Sequence, residues 1–152
     1  MAAEGTVKAD WFAQLSKPHV QALGALAVMV VFVLVGLGIN AAGDGLTDRW
    51  GYQTAATAMM MFGVGNALMS LNAPNIGKYW SASFVSYLLL AGIGVVIARL
   101  LSGFWLTEAG SYKWIYMVLT FGYLVLLSIV SMMKGIVSFA EREEWSQPRR
   151  RE

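Results

Sequence analysis

The feature that most constrains this chain is its division into four apolar blocks. The blocks cover residues 20–40, 52–71, 82–106 and 113–138. A helix needs roughly 20 residues to cross the hydrocarbon core of a bilayer. Lipid offers no hydrogen bonds to an exposed backbone, so the blocks are expected to be helical. The pattern predicts an all-α integral membrane protein with four transmembrane helices.

Composition supports a membrane location. Only 13% of the 152 residues are charged, whereas 57% are hydrophobic. An average soluble domain carries about a quarter charged residues, and a soluble domain this small has too little interior to hide so much apolar surface. The chain has no cysteine, which excludes disulfides, thiolate metal sites and iron–sulfur clusters. Its small net charge of +2 is not a nucleic-acid signature, and we expect no nucleic-acid partner.

Lysine and arginine are distributed unequally between the two sides of the predicted membrane domain. The side richer in these residues is expected to be cytoplasmic. Both termini are therefore predicted to lie on the cytoplasmic side of a bacterial inner membrane, or on its equivalent in an organellar inner membrane. The richer side would hold Lys8, Lys17, Lys78, Lys134, Arg142, Arg149, Arg150 and Arg151, and the other side Arg49, Arg99 and Lys113.

Short connections join the four blocks. Helices connected in this way pack antiparallel into one bundle, so residues 1–152 are predicted to form a single four-transmembrane-helix antiparallel domain. Residues 1–18 and 140–152 would be polar tails. The fourth helix is expected to continue into the second tail to about Ser146, because Pro148 then stops it.

Asn66 places a carboxamide inside the second apolar block. With Gly63, Ala67 and Ser70 it follows the i, i+3, i+4, i+7 spacing of one helix face. Small residues let helices approach closely in lipid, and a polar side chain among them can hydrogen-bond to a neighbouring helix. We therefore interpret these four as helix-packing residues. The alternatives for Asn66 are a polar solute path and a contact with another subunit.

A second row of small residues runs along the third block. Ser86, Gly94, Ala98 and Ser102 are spaced by four or eight residues, as on one helix face. Two such faces on consecutive spans predict that the second and third helices pack tightly.

Few ionisable side chains lie within the blocks, although such residues are functional candidates by default. Arg99 lies near the outer end of the third block, where it can extend to the headgroups, pair with a nearby carboxylate, or contact a substrate or lipid phosphate. His19 is the only histidine, so one chain cannot supply a bis-histidine haem. The sequence contains no nucleophile triad, metal-ligand motif, paired carboxylates or phosphate-binding loop. We expect no enzymatic activity, cofactor or metal site.

Some residues are candidates for contacts with lipid or with a partner protein. Tryptophan is enriched at headgroup depth, and a basic run at the membrane surface attracts anionic lipid as well as fixing topology. The candidates are Arg99, Trp105, Arg149, Arg150 and Arg151.

These observations favour a non-catalytic accessory or structural subunit of a larger integral membrane complex, with respiratory and photosynthetic complexes as candidates. Its expected partners are membrane lipids and other integral membrane subunits. The alternative is a small oligomeric channel or transporter with a polar path near Asn66, although no carboxylate lies at mid-membrane depth. A membrane enzyme or haem-carrying anchor is a third hypothesis, for which the required residues are missing.

Overall fold

The computed structural model of the chain describes residues 14, 17–43, 45, 48–71, 73 and 75–146, and it is all-helical over these residues. The described residues contain four long helices. They are α1 (Pro18–Ala41), α2 (Trp50–Ser70), α3 (Ile76–Ser102) and α4 (Tyr112–Ser146).

Three of these helices are long and apolar enough to cross a membrane, over Pro18–Ala41, Gly77–Ser102 and Tyr112–Ala140. Their outward surfaces carry large apolar side chains, such as Leu100 at 78% exposure and Phe121 at 69%. Contiguous exposed apolar surface of this kind marks contact with a membrane or with another protein. The chain is thus a helical protein with three candidate membrane spans.

Helix α2 is not apolar enough to be one of these three spans, and it occupies the centre of the assembly. It contacts each of the other three helices, and about half of its residues are buried, including Tyr52, Phe62 and Asn66. One side of α2, which includes Asn66, is covered by the other helices, whereas Met60 and Leu68 on its other side are exposed. The sequence prediction treated all four blocks as equivalent, and it did not foresee this central position.

Contacts between α2 and α3 fix the relative direction of the two helices. Gly51 at the start of α2 lies against Ala98 near the end of α3. Further along α2, the ring of Phe62 lies 6.2 Å from that of Tyr87. Residue numbers rise on one helix as they fall on the other, so α2 and α3 are antiparallel.

Two contacts with α2 fix the direction of α1 as well. Trp50 of α2 lies beside Gly36 of α1, and Asn66 is bonded to Gln21, so these two helices are also antiparallel. Consequently α1 and α3 run in the same direction. Helix α2, which lies between them in the chain, runs in the opposite direction.

Helix α3 differs at both ends from the predicted block, 82–106. It begins at Ile76, where the Asn75 side chain accepts the Lys78 backbone N–H at 3.3 Å and caps the helix. It ends at Ser102 and is followed by Gly103, whose φ of +78° lies in the left-handed region that favours glycine. Phe104 and Leu106 follow this glycine and pack back against the core. Because they are apolar, the sequence prediction included them in the third block.

Helix α4 extends to Ser146, as predicted. Its candidate membrane span ends at Ala140, so the helix continues past the apolar region. The predicted contact residues Arg149, Arg150 and Arg151 lie outside the described residues, as does most of the N-terminal tail.

Candidate functional site

Asn66 is fully buried, at 0% exposure, where the four helices meet. Its Nδ2 donates hydrogen bonds to Oε1 of Gln21 on α1 (2.9 Å) and to the hydroxyl of Tyr79 on α3 (3.2 Å). The hydroxyl of Tyr123 on α4 donates to Oδ1 of Asn66 (3.0 Å). One carboxamide therefore bonds to all three other helices, with both N–H donors and the oxygen engaged. These four residues are called the Asn66 network below.

Tyrosine rings pack around this network. The ring of Tyr123 stacks on that of Tyr87 with 4.4 Å between centroids, and Phe62 lies 6.0 Å from Tyr123. The Tyr87 hydroxyl bonds in turn to the Thr120 hydroxyl at 3.2 Å. Aromatic contacts thus join α2, α3 and α4 beside the carboxamide, and each phenol has a polar partner for its hydroxyl, as buried tyrosines require.

Small residues bring α2 and α3 close together near the start of α2 and the end of α3. A Cβ added to Gly51 would lie 2.9 Å from the Cα of Ala98, and one added to Gly94 would lie 3.1 Å from the Cβ of Ala55. Gly94 and Ala98, which the sequence singled out for packing, therefore face α2. Their partners there are Gly51 and Ala55, which the sequence reasoning missed.

The other predicted packing residues have different neighbours. Gly63 lies against Tyr123 of α4, where an added Cβ would be 3.4 Å from the ring. Ala67 is buried, and the buried hydroxyl of Ser70 donates to its carbonyl oxygen at 2.6 Å. The Ser102 hydroxyl donates to a carbonyl oxygen two residues further along the chain at 3.4 Å. The small-residue face of α2 is therefore shared between α3 and α4.

Arg99 has an aromatic partner. Its guanidinium carbon lies 3.3 Å from the centroid of the Trp105 ring, which is a cation–π contact. The Trp105 backbone N–H donates to a carboxylate oxygen of Glu108 at 3.2 Å, which fixes the loop that carries the indole. Trp105 remains 54% exposed, so its ring is available to lipid.

A groove of about 260 Å³ separates α1 from α3. At one end, the Ser86 hydroxyl lies 2.8 Å from Nδ1 of His19. Ser86 therefore faces α1, whereas the sequence reasoning had placed it on a face packed against the second span. The groove, called the His19 groove below, is lined by His19, Ala22, Leu23, Leu26, Ser86, Leu89, Leu90 and Ile93.

Within the part of the chain that the structure describes, no three His, Cys, Asp or Glu side chains are grouped closely enough to hold a metal ion. No protein-family model, curated protein or solved structure matches the chain. The Asn66 network joins helices, and its polar atoms are already occupied by one another.

Proposed function

We propose that this chain is a non-catalytic accessory or structural subunit of a larger integral membrane complex. The supporting observation is the Asn66 network, in which the buried polar groups bond to one another. A carboxamide with every donor occupied can bind a solute only by giving up bonds whose loss is costly in a buried site. A chain with such an interior acts through its outer surface.

The outer surface suits contact with other membrane helices. Helix α4 packs chiefly against α2, which leaves most of its circumference open. The open side carries large exposed side chains, among them Val118, Phe121 and Met132. Helices associate in lipid through close packing of such faces, and a partner subunit would cover part of this one.

We also infer four membrane spans. Helices α1 and α3 run in the same direction, so a chain that crosses the membrane in both must return between them. Only α2 lies between them, and its 21 residues make about 32 Å at 1.5 Å per residue, close to the ~30 Å hydrocarbon core. The proposal is an antiparallel four-helix bundle in a bacterial or organellar inner membrane, with both termini on the cytoplasmic side because of the lysine and arginine bias.

The first test is extraction from the native membrane in mild detergent, followed by a native gel and mass spectrometry of the co-migrating proteins. We expect stoichiometric co-migration with a larger complex, and the chemistry of the partners would show whether that complex is respiratory, photosynthetic or of another kind. Migration as a free monomer or as a small homo-oligomer would contradict the proposal.

A photo-crosslinking amino acid locates the contact. Placed at Phe121, which is exposed on α4, it should form crosslinks to another protein. At Tyr87, which is 1% exposed, the same group should react only within the chain. Equal crosslinking patterns from the two positions would show that the exposed face of α4 is not the interface.

The transport alternative requires a polar path near Asn66. Such a path would have to open the Asn66 network, because the carboxamide is fully buried. The proposed function therefore predicts no ion or solute flux through reconstituted liposomes. Flux that disappears in Asn66→Leu, with the fold retained, would replace the accessory-subunit proposal by the transport one.

A further inference from the structure

The His19 groove has a polar end and an apolar end. On each helix its lining residues follow the i, i+3, i+4, i+7 spacing of one face. The first residue of each face is polar, and the two polar residues are bonded to each other. The remaining residues are alanine, leucine and isoleucine, namely Ala22, Leu23, Leu26, Leu89, Leu90 and Ile93.

Ser86 orients the imidazole at the polar end. Its hydroxyl donates its single hydrogen to the carbonyl oxygen of Ala82 at 2.8 Å. The hydroxyl oxygen is then the acceptor for Nδ1–H of His19 at 2.8 Å. Because this bond occupies Nδ1, Nε2 remains available for a ligand.

On α1, the groove lies in the part of the helix that would occupy one leaflet of the membrane. His19 is the second residue of α1, and the exposed Lys17 immediately precedes that helix. Leu26 is seven residues further along α1, about 10 Å at 1.5 Å per residue, which is about a third of the way along the helix. The hydrocarbon core is about 30 Å thick. The groove thus runs from the membrane surface toward the midplane, as a lipid of that leaflet does.

We propose that the His19 groove binds one anionic phospholipid. The phosphate would lie at His19 Nε2, with Lys17 nearby, and one acyl chain would run along the leucines toward Ile93. Protonated imidazole and ammonium groups donate charge-assisted hydrogen bonds to phosphate oxygens. No Asp or Glu is among the described residues that line the groove. Anionic lipids are concentrated in the cytoplasmic leaflet, the side to which the basic residues assign this end of α1. The site does not depend on the accessory-subunit proposal.

Native mass spectrometry of the delipidated full chain tests the proposal. The probes are dioleoylphosphatidylglycerol and, as the zwitterionic comparison, dioleoylphosphatidylcholine. We expect the wild-type chain to retain one phosphatidylglycerol in preference to phosphatidylcholine. Equal retention of the two lipids would overturn the proposal, because it indicates only non-specific lipid around the helices.

A groove-filling variant tests where the acyl chain lies. Ala22→Leu narrows the groove and should weaken retention of the lipid about ten-fold, the equivalent of roughly two buried methylene groups. The matched control is Ala27→Leu, on the exposed side of α1 and away from the groove. If both substitutions have the same effect, the lipid is not in the groove.

Ile93→Phe repeats this test on α3, in case Ala22→Leu fails to fold. Its control is Val96→Phe, at an exposed position on the same helix. A loss with Ile93→Phe that Val96→Phe does not share supports the site, and equal retention by the two overturns it.

His19→Gln separates the headgroup from the tail. Glutamine can still hydrogen-bond to Ser86 but carries no charge. We expect the preference for phosphatidylglycerol over phosphatidylcholine to fall about five-fold, as for one surface charge, while one lipid remains bound. An unchanged preference for phosphatidylglycerol would show that the imidazole does not contact the lipid headgroup. Displacement of the phospholipid by a ubiquinone added at equal concentration would instead assign the groove to a quinone and overturn the proposal.

Discussion

The phenol of Tyr123 on α4 donates a 3.0 Å hydrogen bond to the carboxamide oxygen of Asn66 on α2. The same ring stacks on Tyr87 of α3, so the bond and the stacking act at one place. Because α4 packs chiefly against α2, this pair is a principal attachment of the fourth helix to the other three.

Tyr123→Phe removes this hydrogen bond and keeps the ring. We expect the free energy of unfolding to fall by about 0.6–1.7 kcal/mol, the range for hydrogen bonds between membrane helices. Denaturation in mixed detergent micelles measures it. The control is Ser128→Ala, which removes an exposed hydroxyl bonded only to its own helix and should change stability by less than about 0.5 kcal/mol. Equal losses in the two variants would show that the Tyr123 bond contributes little.

Asn66→Ala removes the hydrogen bonds that Asn66 makes with Gln21, Tyr79 and Tyr123. We expect the free energy of unfolding to fall by about 1–3 kcal/mol more than with Tyr123→Phe, because more buried polar groups lose a hydrogen bond. In the double variant the two losses should not add, with a coupling of at least about 0.5 kcal/mol, because both changes remove the same bond. Strict additivity in the same denaturation assay would contradict a shared network.

Gly51→Ala should separate α2 from α3. The new Cβ would lie 2.9 Å from the Cα of Ala98, and a backbone atom cannot move aside as a flexible side chain can. Overpacking of this kind costs about 1–3 kcal/mol, measurable as a lower unfolding midpoint. Gly65→Ala is the matched control in the same helix, because its Cβ meets no atom within 4 Å. If Gly65→Ala is as damaging as Gly51→Ala, close approach is not the cause.

Trp105→Leu should release the guanidinium of Arg99 in the last turn of α3. A partly exposed cation–π contact contributes about 0.5–1 kcal/mol, so a loss of that size is expected. Trp114→Leu is the comparison, since Lys113 lies 5.8 Å from that ring and the contact is weaker. A double-mutant cycle with Arg99→Gln isolates the interaction, and zero coupling would contradict it.

The absence of cysteine makes the chain suitable for single-cysteine accessibility labelling. Four spans predict that Gly45→Cys and Ser111→Cys react from the outer side with a reagent that does not cross membranes. Gly77→Cys should react only after the membrane is permeabilised. Labelling of Gly45→Cys and Gly77→Cys from the same side would show that α2 does not cross.

The local features of this structure were predictable because local residue patterns determine them. Apolar length predicted the four helices, and the continuation of α4 past its apolar segment to Ser146 was foreseen. The end of α3 was not, because Phe104 and Leu106 are as apolar as residues of the helix itself. The feature that separates these two residues from α3 is Gly103, whose left-handed conformation ends the helix.

The partners of Asn66 depend on how the helices are rotated and shifted relative to one another. Sequence spacing identified Asn66 as a packing residue, since a carboxamide among small residues in lipid requires a polar partner. It could not select Gln21, Tyr79 and Tyr123, which lie on three different helices at separations of 13 to 57 residues. The only available signal was that each is a polar or amphipathic residue within or beside an apolar block.

The central position of α2 has a consequence for how the chain is made. Because α2 is only moderately apolar, it partitions weakly into lipid on its own. Helices α3 and α4 cover Tyr52 and Asn66 in the folded protein. Neither has been synthesised when α2 leaves the ribosome. Among the described helices, α1 alone precedes α2, and α1 offers Gln21 to Asn66 and Gly36 to Trp50. A nascent chain that ends before α3 should therefore hold α2 at the insertion machinery, and release should follow only as the third helix arrives.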